Sequence, residues 1–178
     1  MNLLQSGKTQ SLNRSERRLM RALGIRSAPQ QVRYAIVDID NEGSLTLVNA
    51  ETENKLSFPA AMLEQQDQRA AWLHIELSRI CDHMGPISVI GVKLPEYGIR
   101  SSDSVDKRTT CYADAIAFLV AAERNIELGA YLYSKLKTNS TEALLRAEAL
   151  VGTTTKYWNQ QMADAILAAA YLLNKNEV

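Results

Sequence analysis

A few charged side chains stand where packing alone does not call for them. Asp38 closes the β-rich run Tyr34-Ala35-Ile36-Val37, and Asp40 follows two residues on. Side chains alternate along a strand, so Asp38 and Asp40 share one side while Val37 and Ile39 take the other. A carboxylate inside an apolar strand is costly unless it is paired or holds a cation. Lys93 and Glu96 leave the apolar run Ile87–Val92, and in open α/β sheets ligands bind outside the carboxyl ends of parallel strands. The long polar loop after Glu96 adds to that expectation. Asp164 is the only charge between Lys156 and Lys175. Each acid taken singly also reads as a turn residue, a surface ion pair or a helix-face charge. Together they offer the hard oxygen ligands that Mg²⁺ or Mn²⁺ requires. Two such ions activate water and stabilise the leaving oxygen of a phosphodiester.

Other chemistries fail on spacing. Cys81 and His83 lie about 200° apart around a helix, and His74 is separated from Cys81 by roughly 10 Å of axis, too far for proton transfer. There is no GxSxG, P-loop, HExxH or GxGxxG pattern. Two cysteines, Cys81 and Cys111, fit a reducing compartment. The start of the chain lacks the apolar core of a signal peptide. The most apolar stretch, Ala163 to Leu173, is too short to cross a bilayer. The expectation is a cytoplasmic protein with no membrane partner.

The elements that must position these residues come next. The chain has 178 residues, 46% hydrophobic and 22% charged, with zero formal net charge, the balance of one globular domain with a sizeable core. That zero conceals an asymmetry: residues 1–33 carry +6 and the remainder −6. Residues 1–31 read as a basic extension. Within it Asn13 to Leu23 reads as a short helix, with Asn13 and Glu16 as a capping box and Gly24 as the C′ glycine. Arg14, Arg17, Arg18 and Arg21 flank a small stripe of Leu19, Met20 and Leu23. They serve either as the watered face of a docked helix or as a nucleic-acid-binding arm. Ser27 to Gln31 reads as the linker to a domain over residues 32–178.

In that domain, Val32–Ile39, Ser44–Asn49 and Lys55–Phe58 read as an antiparallel meander. A helix from Ala60 to Met84, the buried strand Ile87–Val92, a helix from Thr110 to Arg124 and a strand from Ile126 to Tyr133 follow. Helices at Thr141–Leu150 and Tyr157–Leu173 close the chain. The order β-β-β-α-β-α-β-α, with a further short helix, predicts an α/β fold: a mixed five-stranded sheet with helices on both faces.

The strand Tyr34-Ala35-Ile36-Val37-Asp38, the meander after it, the Ile87–Val92 strand and the Ala163-Asp164-Ala165 helix resemble the ribonuclease H-like superfamily, RuvC-type resolvases in particular. In that superfamily a first-strand Asp, an acid at the fourth strand and an Asp on the last helix hold divalent metal. The resemblance implies Asp38, Glu96 and Asp164 as ligands of Mg²⁺ or Mn²⁺, with Asp40 as a further candidate. It departs at the fourth strand, where Val92-Lys93 stands in place of a Glu. The run Val92-Lys93-Leu94-Pro95-Glu96 is more similar to a small bacterial family of ribonuclease H-like proteins of no settled activity. Two functions follow. One is a metal-dependent nuclease acting on structured nucleic acid, with Asp38, Lys93, Glu96 and Asp164 as its catalytic set and a homodimer as a possible assembly. The other is an inactive module of the same fold that binds nucleic acid or a protein, in which Lys93 is paired with Asp38 or Asp164 and neutralises it.

Overall fold

The computed structural model describes residues 20–98 and 102–176. Their order is β1 (Met20–Ala28), β2 (Gln31–Ile39), β3 (Leu45–Leu47), β4 (Lys55–Ser57), α1 (Gln66–His83), β5 (Val89–Lys93), α2 (Val105–Glu123), β6 (Glu127–Tyr131), α3 (Tyr133–Leu136), α4 (Ala143–Val151) and α5 (Gln160–Asn176). Six strands form one mixed sheet in the order β3-β2-β1-β5-β6, with β4 also paired to β2. The meander strands run antiparallel, while β1, β5 and β6 are mutually parallel.

The expected α/β architecture is present, with one strand more than the sequence predicts, and that strand is the central one. Met20–Ala28 is not the end of a helix followed by a linker. Leu23 and Ile25 point into the core under α1 and α2, while Ala22 points into the core under α5. The capping pattern and basic stripe upstream mask this alternation of period two. Pro29 and Gln30 form the tip of a tight hairpin, since Ala28 pairs with Gln31. The proposed boundary at residue 31 therefore cuts through a hairpin. Arg14, Arg17 and Arg18 lie outside the described residues.

Gly24 has a packing role rather than a capping one. A Cβ there would sit 1.9 Å from the Ala165 carbonyl oxygen, and one at its β5 neighbour Gly91 would sit 2.3 Å from that of Ala168. The paired glycines let α5 press its alanine face onto the middle of the sheet. Ala163, Ala165, Ala168 and Ala169 are fully buried there, together with Ile166. The opposite face is covered by Leu73, Leu77 and Ile80 of α1 and Ala113, Ala117 and Val120 of α2. The expected helix from Ala60 starts later: one 3-10 turn at Ala60–Met62 precedes α1. Conversely, α2 starts earlier than expected, because Ser104 caps it by accepting from the Lys107 amide.

Candidate functional site

The sheet separates the acids that the sequence brings together. In β2, Ala35, Val37 and Ile39 face α5, whereas Tyr34 and Ile36 face α1 and α2; by alternation Asp38 takes the second face. Its cross-strand partner is Arg21 at the start of β1, and the pair is bidentate: Arg21 Nε donates to Oδ1 at 2.6 Å and Nη2 to Oδ2 at 2.7 Å. Arg21 Nη1 donates to the Met84 carbonyl. This guanidinium is thereby committed to a structural pair. Asp40 closes the β2–β3 turn, its Oδ1 accepting from the Glu42 and Ser44 amides at 2.9 and 3.0 Å.

Lys93, Glu96 and Asp164 do converge, at the carboxyl ends of β1 and β5 on the α5 face. Register places Ile25 beside Val92, so the next residues, Arg26 and Lys93, follow the last paired position of two neighbouring parallel strands. Asp164, 2% exposed, rises from the first turns of α5 to meet them. Arg26 Nε donates to its Oδ2 at 3.1 Å, while Tyr133 Oη and Gln160 Nε2 donate to its Oδ1 at 2.7 and 3.1 Å. Gln160 also donates to the Tyr133 oxygen at 2.9 Å. Both carboxylate oxygens are thus occupied by donors.

Lys93 is buried. Its ammonium donates to Glu96 Oε1 at 3.0 Å and to the Leu94 carbonyl at 2.5 Å, and lies 3.7 Å from the centre of the Tyr133 ring. Burial pushes its pKa down, against the pull of Glu96 and Asp164. Burial pushes the Glu96 carboxyl up, but the Tyr133 amide, 2.6 Å from Oε1, and Lys93 outweigh it and hold the group below its ordinary value. Burial, reinforced by Asp164, raises the Tyr133 phenol and keeps it a neutral donor.

One acid of this cluster has no part in the sequence reading. Asp114 of α2 is 4% exposed, and burial pushes its carboxyl up to about 6 despite the Ser27 hydroxyl and the cations Arg26 and Lys93. Its Oδ1 has no hydrogen-bond partner among the described residues. Between the strand ends and the first turns of α2 lies a cleft of about 320 Å³, lined in part by Arg26, Ser27, Glu96, Thr110 and Gln161. Arg26 enters the sequence reading only as a charge in the basic segment, because its strand is read as a helix and linker.

These residues do not fit a resident divalent metal. Among the described residues no three His, Cys, Asp or Glu side chains are grouped to hold an ion. A metal needs free carboxylate oxygens, and here Arg26, Tyr133 and Gln160 fill those of Asp164 while Lys93 and an amide share Glu96. The resemblance implies acids on the first and fourth strands; here Arg26 stands near the end of β1 and Lys93 is the last residue of β5. The site is a compensated network of two cations and two carboxylates, with a buried acid of raised pKa behind it.

Similarity to solved structures comes from the fold. Thermus thermophilus RuvC superimposes with a TM-score of 0.71 at 15% identity, covering 89% of this chain and 96% of that one. The T. thermophilus RuvC complex with Holliday junction substrate gives 0.69 at the same identity and coverage. The yeast mitochondrial Holliday junction resolvase gives 0.54 at 15% identity, over 85% of this chain and 77% of that one. No family model and no curated protein sequence matches the chain. At this identity the likeness establishes the fold alone, a RuvC-like mixed α/β architecture.

Proposed function

We propose that this chain is a RuvC-like module that binds structured nucleic acid without metal-dependent hydrolysis. The observation that carries the reading is the placing of Arg26 and Lys93 directly after the Ile25–Val92 pair that joins β1 to β5, each bonded to an acid of the cluster. Two-ion hydrolysis needs those carboxylates open to metal and near a scissile phosphate; here they neutralise the protein's own cations. The nucleic-acid half rests on the fold shared with a junction-bound resolvase and on the +6 charge of residues 1–33. With Arg21 committed to Asp38 and Arg26 to Asp164, Arg14, Arg17 and Arg18 are the arginines assigned to the phosphate backbone.

Fluorescence anisotropy with a labelled four-way junction and a duplex of equal length tests both halves. The full chain should bind the junction in EDTA as well as in Mn²⁺, and binding should weaken steeply between 50 and 200 mM salt, as phosphate neutralisation requires. Replacing Arg14, Arg17 and Arg18 by Ala should lower affinity and flatten the salt slope by about three. Neither Mg²⁺ nor Mn²⁺ should raise the melting temperature or produce cleavage. Cleavage that depends on Mn²⁺ and is lost in Asp164→Asn would restore the nuclease reading. Binding that is unaffected by salt or by the arginine substitutions would remove nucleic acid.

A further inference from the structure

A row of three cations crosses the sheet on its α5 face. Arg26 of β1 is the cross-strand partner of Arg33 in β2, and Arg33 is the partner of Lys55 in β4. Like charges directly opposite one another destabilise a sheet. Asp164 compensates the first of them. Arg33 is 6% exposed and has no ion pair among the described residues. Its Nη1 donates to Asn54 Oδ1 at 2.7 Å, the Tyr157 ring centre lies 5.5 Å from Cζ, and Nε has no partner among the described residues. Burial pushes its pKa down. Arg69 is equally buried and also lacks a carboxylate, but it donates to the backbone carbonyls of Leu63 and Pro29. Arg33 has no backbone acceptor among the described residues.

Because Arg33 donates to Asn54 Oδ1, the amide can face only one way, with its NH₂ turned from the guanidinium. Asn54 is 2% exposed and its Nδ2 has no partner among the described residues. Asn54 lines a cleft of about 430 Å³ between the β3–β4 connection and the α4–α5 loop, with Lys55, Lys156 and Tyr157 among the other walls. Both lysines are exposed. Tyr157 is held at φ 63°, in the left-handed region that a bulky residue keeps only when its surroundings impose it. Two acids share the walls, and each has a partner: Glu53 is bridged by Arg79 at 2.8 Å, and Glu51 accepts from the Thr155 hydroxyl at 3.1 Å.

We propose that this cleft is an oxyanion site for a phosphate group, with Asn54 Nδ2 and the ammonium groups of Lys55 and Lys156 as donors. Arg33 is its positioning residue: it orients the Asn54 amide and contributes an uncompensated positive charge behind it. A buried unpaired donor and a buried unpaired cation each cost free energy that an anion in the cleft recovers. The site stands whether or not the chain binds nucleic acid, because it requires only phosphate chemistry.

Inorganic phosphate added to the full chain, followed by ¹⁵N NMR of the arginine Nε–H and asparagine NH₂ groups, tests it. Phosphate should move the Arg33 and Asn54 side-chain signals. The exposed pair Lys55→Ala/Lys156→Ala should fold as the parent does and lose affinity on the order of tenfold, as expected for charge-assisted bonds. Displacement of phosphate by a duplex lacking terminal phosphates identifies a phosphodiester backbone as the occupant; no displacement identifies a phosphate monoester, and either outcome supports the site. Unmoved Arg33 and Asn54 signals overturn it. So does undiminished phosphate binding by the lysine variant, which would mean an adventitious ion only.

Discussion

The two ends of β1 carry the same chemistry and differ in consequence. At its start Arg21 grips Asp38; at its end Arg26 grips Asp164. The first pair lies on the α1 face, bidentate and isolated, and both partners keep some contact with water. The second is tied through Tyr133 and Gln160 to Lys93, Glu96 and a buried acid beside an open cleft. One arginine–carboxylate pair is a clasp between neighbouring strands, while the other neutralises the ligand-binding end of an α/β sheet. Geometry beyond the pair distinguishes them, since residue types alone are identical.

The largest effect that sharpens this contrast is loss of each carboxylate. Asp164→Ala leaves Arg26, Tyr133 and Gln160 without their shared acceptor and removes a charge that stabilises buried Lys93. Breaking a buried pair from one side costs about 3–5 kcal/mol, which for a chain of this size lowers the melting temperature by roughly 10–15 °C. Asp38→Ala should cost about 1–3 kcal/mol, because Arg21 keeps the Met84 carbonyl and reaches water. Denaturant melts of both variants check the ordering; equal losses would erase the distinction between clasp and network.

That distinction was half legible in the sequence. Lys93, Glu96 and Asp164 stand out because a charge at a strand end or among alanines has no packing reason, and all three meet. Asp38 stands out for the same reason, yet its partner Arg21 lies in a segment whose capping pattern and basic stripe read as helix. Misreading Met20–Ala28 hides the central strand, and with it Arg26, the residue that fills the first-strand position. The α/β layers were readable because β2, β5 and α5 have clear periods. Asp114 and Tyr133 were not, since their role depends on contacts between residues 21 to 88 apart in the chain, which no local pattern encodes.

The next effect concerns pH and belongs only to the β1 end with the cluster. Burial raises the folded-state pKa of Asp114 to about 6, above the ordinary value of about 3.9. The folded state therefore holds this proton more tightly than the unfolded one. Its stabilisation is fully present below about pH 4 and is lost as pH rises through about 6. Ionised Asp114 should cost about 2–3 kcal/mol at pH 7. Asp114→Asn should match the parent near pH 4 and exceed it at pH 7 to 8, as followed by melting temperature against pH. A parent curve that rises between pH 4 and 6, with the variant parallel to it, would place the charged carboxylate among the stabilising groups instead.

The smallest effect comes from the most buried charge, and the reason is asymmetry within its pair. The Lys93 side chain is 1% exposed, whereas that of its partner Glu96 is 44% exposed. Lys93→Met removes the ammonium whose desolvation opposes its ionisation and fills the space beside the Tyr133 ring with an apolar chain. Glu96 keeps the Tyr133 amide and turns its other oxygen to water. Deleting the buried member of such a pair leaves no buried charge stranded, so the change in stability should stay within about 1 kcal/mol and can be favourable. The same replacement at the other end, Arg21→Met, strands a largely buried Asp38 and should cost more than Lys93→Met. A loss at Lys93 as large as at Asp164 would mean that the ammonium holds Asp164 directly, and the cluster would have to be described as one indivisible ion triad.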